Sequence, residues 1–95
     1  MGQLAETIKT LVNDGRYIVS EHASDRLIER GLMEWQVIAG MVDARTLRER
    51  PANKPRPAAE FEVLLVDGTA CKAVWSLLRA SEIAKLVTVH YFGEE

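Results

Sequence analysis

The segment Ser20-Glu21-His22-Ala23-Ser24-Asp25-Arg26-Leu27-Ile28-Glu29-Arg30-Gly31 concentrates side chains capable of chemistry. In a helix, His22, Arg26, Glu29 and Arg30 stand at i, i+4, i+7 and i+8, along one stripe. An imidazole exchanges protons near neutral pH, and a guanidinium presents a fork of donors suited to phosphate oxygens. The stripe can therefore hold a phosphate and move a proton. The same residues also fit an ordinary solvated face with an Arg–Glu pair. His22 falls in the first helical turn, where the positive end of the helix dipole favours a nearby anion.

Two further regions carry candidates. Arg45, Arg48, Arg50, Lys54 and Arg56 form the one locally basic stretch, suited either to tracking a nucleic-acid backbone or to a solvated loop. In the run Lys85 to Phe92, strand alternation sets Leu86, Thr88, His90 and Phe92 on one face and Val87, Val89 and Tyr91 on the other. The valines mark the second face as core, which turns His90 outward as a candidate acid or base. Two histidines without a carboxylate cluster at ligand spacing make a poor metal site. No glycine-rich phosphate loop or serine elbow is present, and no cofactor is expected.

The elements that must position these residues follow from periodicity. Leu4, Ile8, Leu11 and Val12 predict a first helix that Asn13-Asp14-Gly15 ends. Arg16 to Val19 favours extended backbone. Ser20 is an N-cap for the His22 helix, without a capping box because Ala23 stands at N3. Gly31 suits its left-handed C-terminal cap. A third helix is expected from about Glu34 to Arg45, with an apolar stripe of Trp35, Ile38, Met41 and Val42. Arg50-Pro51-Ala52-Asn53-Lys54-Pro55-Arg56-Pro57 cannot be regular helix and predicts a surface loop. Strands follow at Glu60–Val66, Thr69–Leu77 and Lys85–Phe92, the first two joined by an Asp67-Gly68 hairpin.

Helices followed by antiparallel strands predict one α+β domain over residues 1–95, its helices on one face of a three- or four-stranded antiparallel sheet. The other face is then solvated, covered by a partner, or an active site. A net charge of -2 argues against a generally basic nucleic-acid binder but leaves room for a local patch. The single cysteine, Cys71, excludes an internal disulfide and is expected to be a buried thiol. No apolar run predicts a membrane span and no signal peptide is seen, so the expected compartment is reducing and cytoplasmic.

Tyr17-Ile18-Val19-Ser20-Glu21-His22-Ala23 through Arg26, then Glu29-Arg30-Gly31-Leu32, resembles the Ser-x-His-Ala-x-x-Arg-x-x-x-Arg-Gly-Ile signature of a small bacterial family, the domain of unknown function 4258. The Arg50–Pro57 loop is similar to that family's Tyr-Pro-x-Asp-x-Pro-x-Pro loop, Ala70–Val74 to its Pro-Leu-His-Val-Val strand, and Leu86–Tyr91 to its closing Ile-Ile-Thr-x-Tyr strand. The resemblance spans about residues 17–92. It implies a fold related to RelE-like and barnase-like ribonucleases, in which an exposed sheet face cleaves RNA without a metal, and in some relatives a toxin paired with an antitoxin. Carried over by position, His22, Arg26 and Arg30 match the first motif, and Thr88 and His90 the last. Lys72 replaces the strand histidine, Arg50 the loop tyrosine and Asn53 the loop aspartate, while Leu32-Met33 lacks the usual helix-capping polar residue.

The expectation is a metal-independent endoribonuclease of toxin type. His22 would serve as acid or base, Arg26 and Arg30 as phosphate clamp, and His90 or Lys72 in support. The alternative is a non-catalytic module that keeps the fold and binds RNA through Arg45 to Arg56, or a protein through the open sheet face. A third reading is a homodimer formed by pairing an exposed edge strand such as Lys85–Phe92.

Overall fold

Leu4, Ala5, Ile8 and Val12 lie on one face of a helix, and the fold buries all four. This is a computed structural model that describes residues 3–93. The first helix, α1, spans Gln3–Asn13, and the extended segment after it is β1, Tyr17–Val19. Helix α2 covers Glu21–Glu29, with Ser20 as its N-cap. It ends where Gly31 takes φ 66°, letting the Leu32 N–H reach back to the Leu27 carbonyl at 2.9 Å.

Helix α3 spans only Glu34–Gly40 and tightens into a 3-10 turn at Met41–Asp43. Met33 offers no polar cap, and the Gln36 side-chain oxygen instead accepts from the Met33 N–H at 2.8 Å. The expected continuation to Arg45 fails because Gly40 packs directly on the sheet. A methyl group there would overlap Val63 Cγ1 and press on the Leu64 carbonyl. The chain then turns into β2, Arg45–Arg50, where sequence periodicity had suggested helix end and loop. Strands β3, Ala58–Leu64, β4, Ala70–Leu78, and β5, Ile83–Tyr91, follow.

The strand order is β1-β5-β4-β3-β2. The four strands β2 to β5 form the antiparallel meander, and β1 adds a fifth strand parallel to β5. The α+β architecture is as expected, with one more strand. Strand β5 is consequently interior to the sheet over Ala84–Leu86, where β4 and β1 flank it.

The helices cover one sheet face, around Trp75, Phe61, Ile8, Met41 and Leu86. Tyr17 meets Trp75 edge-on, with centroids 6.2 Å apart. Here the expected parity of β5 is corrected. Leu86 and Val89 are both fully buried, three residues apart, and Val87 is not. A flat strand cannot bury that spacing. A bulge does: Trp75 faces Leu86, Val74 faces Thr88, and Val87 is left over.

In the hairpin after β3, the Leu65 N–H donates to the Thr69 carbonyl at 2.8 Å. The Thr69 backbone N–H and hydroxyl hold the Asp67 carboxyl below its ordinary value.

Two predictions follow from packing. Gly40→Ala gains about 1 kcal/mol of helix propensity, but overlap with Val63 outweighs it. A net loss of about 1–2 kcal/mol is expected, read as a lower urea midpoint at unchanged slope; an unchanged midpoint would show that the contact relaxes freely. Cys71 is buried in β4, and burial pushes its thiol from 9.0 up to about 11. Above pH 9 the unfolded chain releases this proton and the folded chain keeps it. Stability should therefore fall between about pH 9 and pH 11, by about 2–3 kcal/mol. In chemical denaturation across that range, Cys71→Ala should lack this component of the fall.

Candidate functional site

The sheet face away from the helices is organised in rungs set by strand register. One rung is Arg45–Glu62–Lys72–His90, the next Arg48–Glu60–Val74–Thr88, and the third Arg50–Ala58–Ser76–Lys85. Arg45 pairs with Glu62 at 2.8 Å. Glu60, only 7% exposed, bonds to Arg50 on one side and sits 3.4 Å from Lys72 on the other. A carboxylate this buried needs such partners, and in return it fixes where both cations lie.

The third rung is the floor of a cleft of about 470 Å³. The sheet contributes Arg50, Ala58, Val74, Ser76, Lys85 and Val87; the start of α2 contributes Ser20 and His22; the proline-rich loop contributes Asn53, Lys54, Pro55 and Arg56. Four cations, Arg50, Lys54, Arg56 and Lys85, share this lining with His22, and no carboxylate does. In a chain of net charge -2 with 12 Lys and Arg residues, four of the basic side chains are gathered into one concavity. Such a cleft concentrates positive potential and draws anions.

Ser20 places the imidazole. Its N–H donates to the Leu86 carbonyl at 3.0 Å, and its hydroxyl donates to the Val87 carbonyl at 3.2 Å. The same hydroxyl oxygen accepts from the Ala23 N–H at 3.0 Å, capping α2. One residue thus fastens the helix start to the β5 bulge, and His22, exposed two positions later, projects at the cleft wall.

The loop is shaped by Asn53. Its N–H donates to the Arg50 carbonyl at 3.1 Å, and its side-chain amide donates to the Arg56 carbonyl at 3.2 Å. An ionised aspartate there has no amide to donate, so asparagine at this position has a structural reason. The Pro57 carbonyl accepts from the Leu77 N–H at 2.9 Å and ties the loop exit to β4.

The expected site residues divide into three places. His22 lines the cleft. Arg26 and Arg30 share its helix stripe but not the cleft lining: Arg26 pairs with Glu29 at 2.8 Å, and Arg30 approaches the same carboxylate at 3.4 Å. Lys72 and His90 face one another across β4 and β5, two rungs from the floor. The Tyr91 hydroxyl donates to the Arg30 carbonyl at 3.4 Å, so the end of α2 lies beside the end of β5 that carries His90. Among the described residues, no group of three or more His, Cys, Asp or Glu side chains could hold a metal ion.

Sequence reasoning missed Glu60, Lys85 and Ser76 as site residues. The alternation of Glu60 and Glu62 with Phe61 and Val63 held the signal for the carboxylates. The match of Lys85 to Ser76 needed strand register. Among protein-family models, curated proteins and solved structures, none matches this chain.

Ser20→Ala should cost about 1–2 kcal/mol, because it removes the cap and the bond to the bulge together. Ser20→Thr, which keeps the hydroxyl, should cost less. Urea unfolding of both variants checks this, and an unaltered midpoint for the alanine variant would remove Ser20 from its positioning role.

Proposed function

We propose that the cleft binds the phosphodiester backbone of RNA and that His22 transfers a proton in its metal-independent cleavage. The carrying observation is the convergence of four cations and an exposed imidazole on one cleft whose lining holds no carboxylate. The chemistry requires little more. His22 in its neutral form accepts the proton of a ribose 2′-hydroxyl, and the 2′-oxygen attacks the adjacent phosphorus. The P–O5′ bond breaks, leaving a 2′,3′-cyclic phosphate, and the departing 5′-oxygen takes a proton from the imidazolium or from water. Arg50, Lys54, Arg56 and Lys85 offset the charge that builds on the phosphoryl oxygens.

The resemblance of Ser20-Glu21-His22-Ala23 through Arg30-Gly31 to the domain of unknown function 4258 family supports the same reading. Arg26 and Arg30 on the helix, and Lys72 and His90 on the sheet, then steer the strand as it leaves the cleft. A cytoplasmic setting, where RNA is at hand, belongs to this proposal. So does the antitoxin partner that the resemblance implies, which would act by covering the cleft.

A second reading, an RNA-binding module without catalysis, is favoured by one observation. His22 is the one titratable non-cationic group in the lining, and His90 and Lys72 lie two rungs away.

The two separate in one experiment. Parent, His22→Ala and Lys54→Ala/Arg56→Ala proteins, each checked for folding, are incubated with single-stranded RNA in EDTA and titrated with it at several salt concentrations. Cleavage should fall at least about 100-fold in His22→Ala with binding retained. The double variant should bind more weakly, and its salt slope should shrink by about 0.7 for each charge removed. Salt-dependent binding with no cleavage by the parent would select the binding module. Parent RNA binding that ignores both salt and the lost cations would sink both readings.

A further inference from the structure

The cleft is more than a ring of charge. Its sheet floor presents Ala58, Val74 and Val87, and Pro55 stands on the loop wall. None of these can contribute to phosphate binding. Two of them are placed by defined features of the chain: Val87 lies on the Lys85 face of β5, and Pro55 belongs to the loop that Asn53 braces. Val87 follows Lys85 by two residues and shares its face of β5, so the strand presents a branched aliphatic side chain to the cleft beside the ammonium group, and the bulge frees Val87 from a partner in β4.

A site for phosphate alone has no use for such a surface. An apolar floor of about this size with cations at its rim matches a flat heterocycle joined to a phosphate. At about 470 Å³ the cleft lies within the ~300–1,000 Å³ range of small-ligand pockets. Two arginines at the rim, Arg50 and Arg56, add planar groups on which a base can stack. A base reaches this floor only if it is released from its neighbours, because in a duplex the edges are paired and the faces covered.

We infer that the cleft takes one unpaired nucleotide, its base against Val74, Val87 and Pro55 and its phosphate on Arg50, Lys54, Arg56 and Lys85. The inference rests on the RNA-binding reading and narrows it to single-stranded substrates gripped through a base. Apart from His22, the lining has no aromatic ring and, beyond Ser20, Asn53 and Ser76, no other neutral side chain able to read a base edge. Grip without strong base preference is the consequence.

Calorimetric titration tests it with two probes of similar charge, inorganic phosphate and adenosine 3′-monophosphate, at low ionic strength. The nucleotide should bind at least about tenfold more tightly, the equivalent of burying roughly two methylene groups. In Val74→Thr/Val87→Thr, which keeps the shape of both side chains, most of that advantage should vanish while phosphate affinity stays as it was. Equal affinities for the two probes in the parent protein would overturn the base pocket and leave the phosphate site standing. No binding of either probe would overturn the pocket and the RNA reading together. The parent comparison decides the matter even where the double variant fails to fold.

Discussion

Strand β5 is the constraint on which the site depends. It is paired with β4 along its length and with β1 over Ala84–Leu86, packs against α2, and contains the bulge at Val87. The bulge changes parity midway, so that Ala84 and Leu86 face the core before it and Val89 after it. It also leaves Val87 without a register partner in β4, and the Val87 carbonyl accepts from the Ser20 hydroxyl. A hydrogen bond of this kind contributes about 0.5–1.5 kcal/mol, so the bulge and the helix cap stabilise one another. The position of His22 follows from that mutual requirement.

Electrostatics sets the second level of order. Glu60 sits nearly buried among cations on the open face. Its two neighbours are not equivalent: Arg50 extends to the cleft lining, whereas Lys72 belongs to the His90 rung. Glu60 thus joins the two basic zones while lying outside the cleft lining. The exposed Arg45–Glu62 pair, at the sheet edge, contributes little energetically. Its service is to keep an edge strand charged and unattractive to another sheet.

Elements with strong local signals were legible in the sequence, and those decided by register were not. The α1 stripe, the Ser20 cap, the Gly31 terminus and the Asp67-Gly68 hairpin are each written in a few adjacent residues. Strand β2 is Arg-Thr-Leu-Arg-Glu-Arg, with no apolar alternation to read. It is a strand because β3, across the proline-rich loop, supplies its pairing partners, from Ala58 opposite Arg50 to Glu62 opposite Arg45. The helix before it stops at Gly40 for a tertiary reason, contact with Val63. The β5 parity failed because alternation assumes a flat strand, though Leu86 and Val89 at a spacing of three carried a hint of the bulge. For the site, His22 and the basic loop were visible as separate segments. Their convergence was not, because α3, the 3-10 turn and β2 lie between them.

That separation explains why the cleft requires the whole fold. His22 comes from the N-terminal half, the loop from the middle, and Lys85 and Val87 from the last strand, so no local segment can form the site alone. Hydrogen bonds anchor the contributors: Ser20 to β5 and the Pro57 carbonyl to β4, while Asn53 braces the loop from within. Gathering like charges has a cost from mutual repulsion, which screening and Glu60 behind Arg50 reduce but do not cancel. The remaining repulsion is relieved when an anion enters. A concavity that is anchored, positively charged and apolar at its floor is therefore least favourable when empty, and that is the physical ground on which the proposed nucleotide site stands.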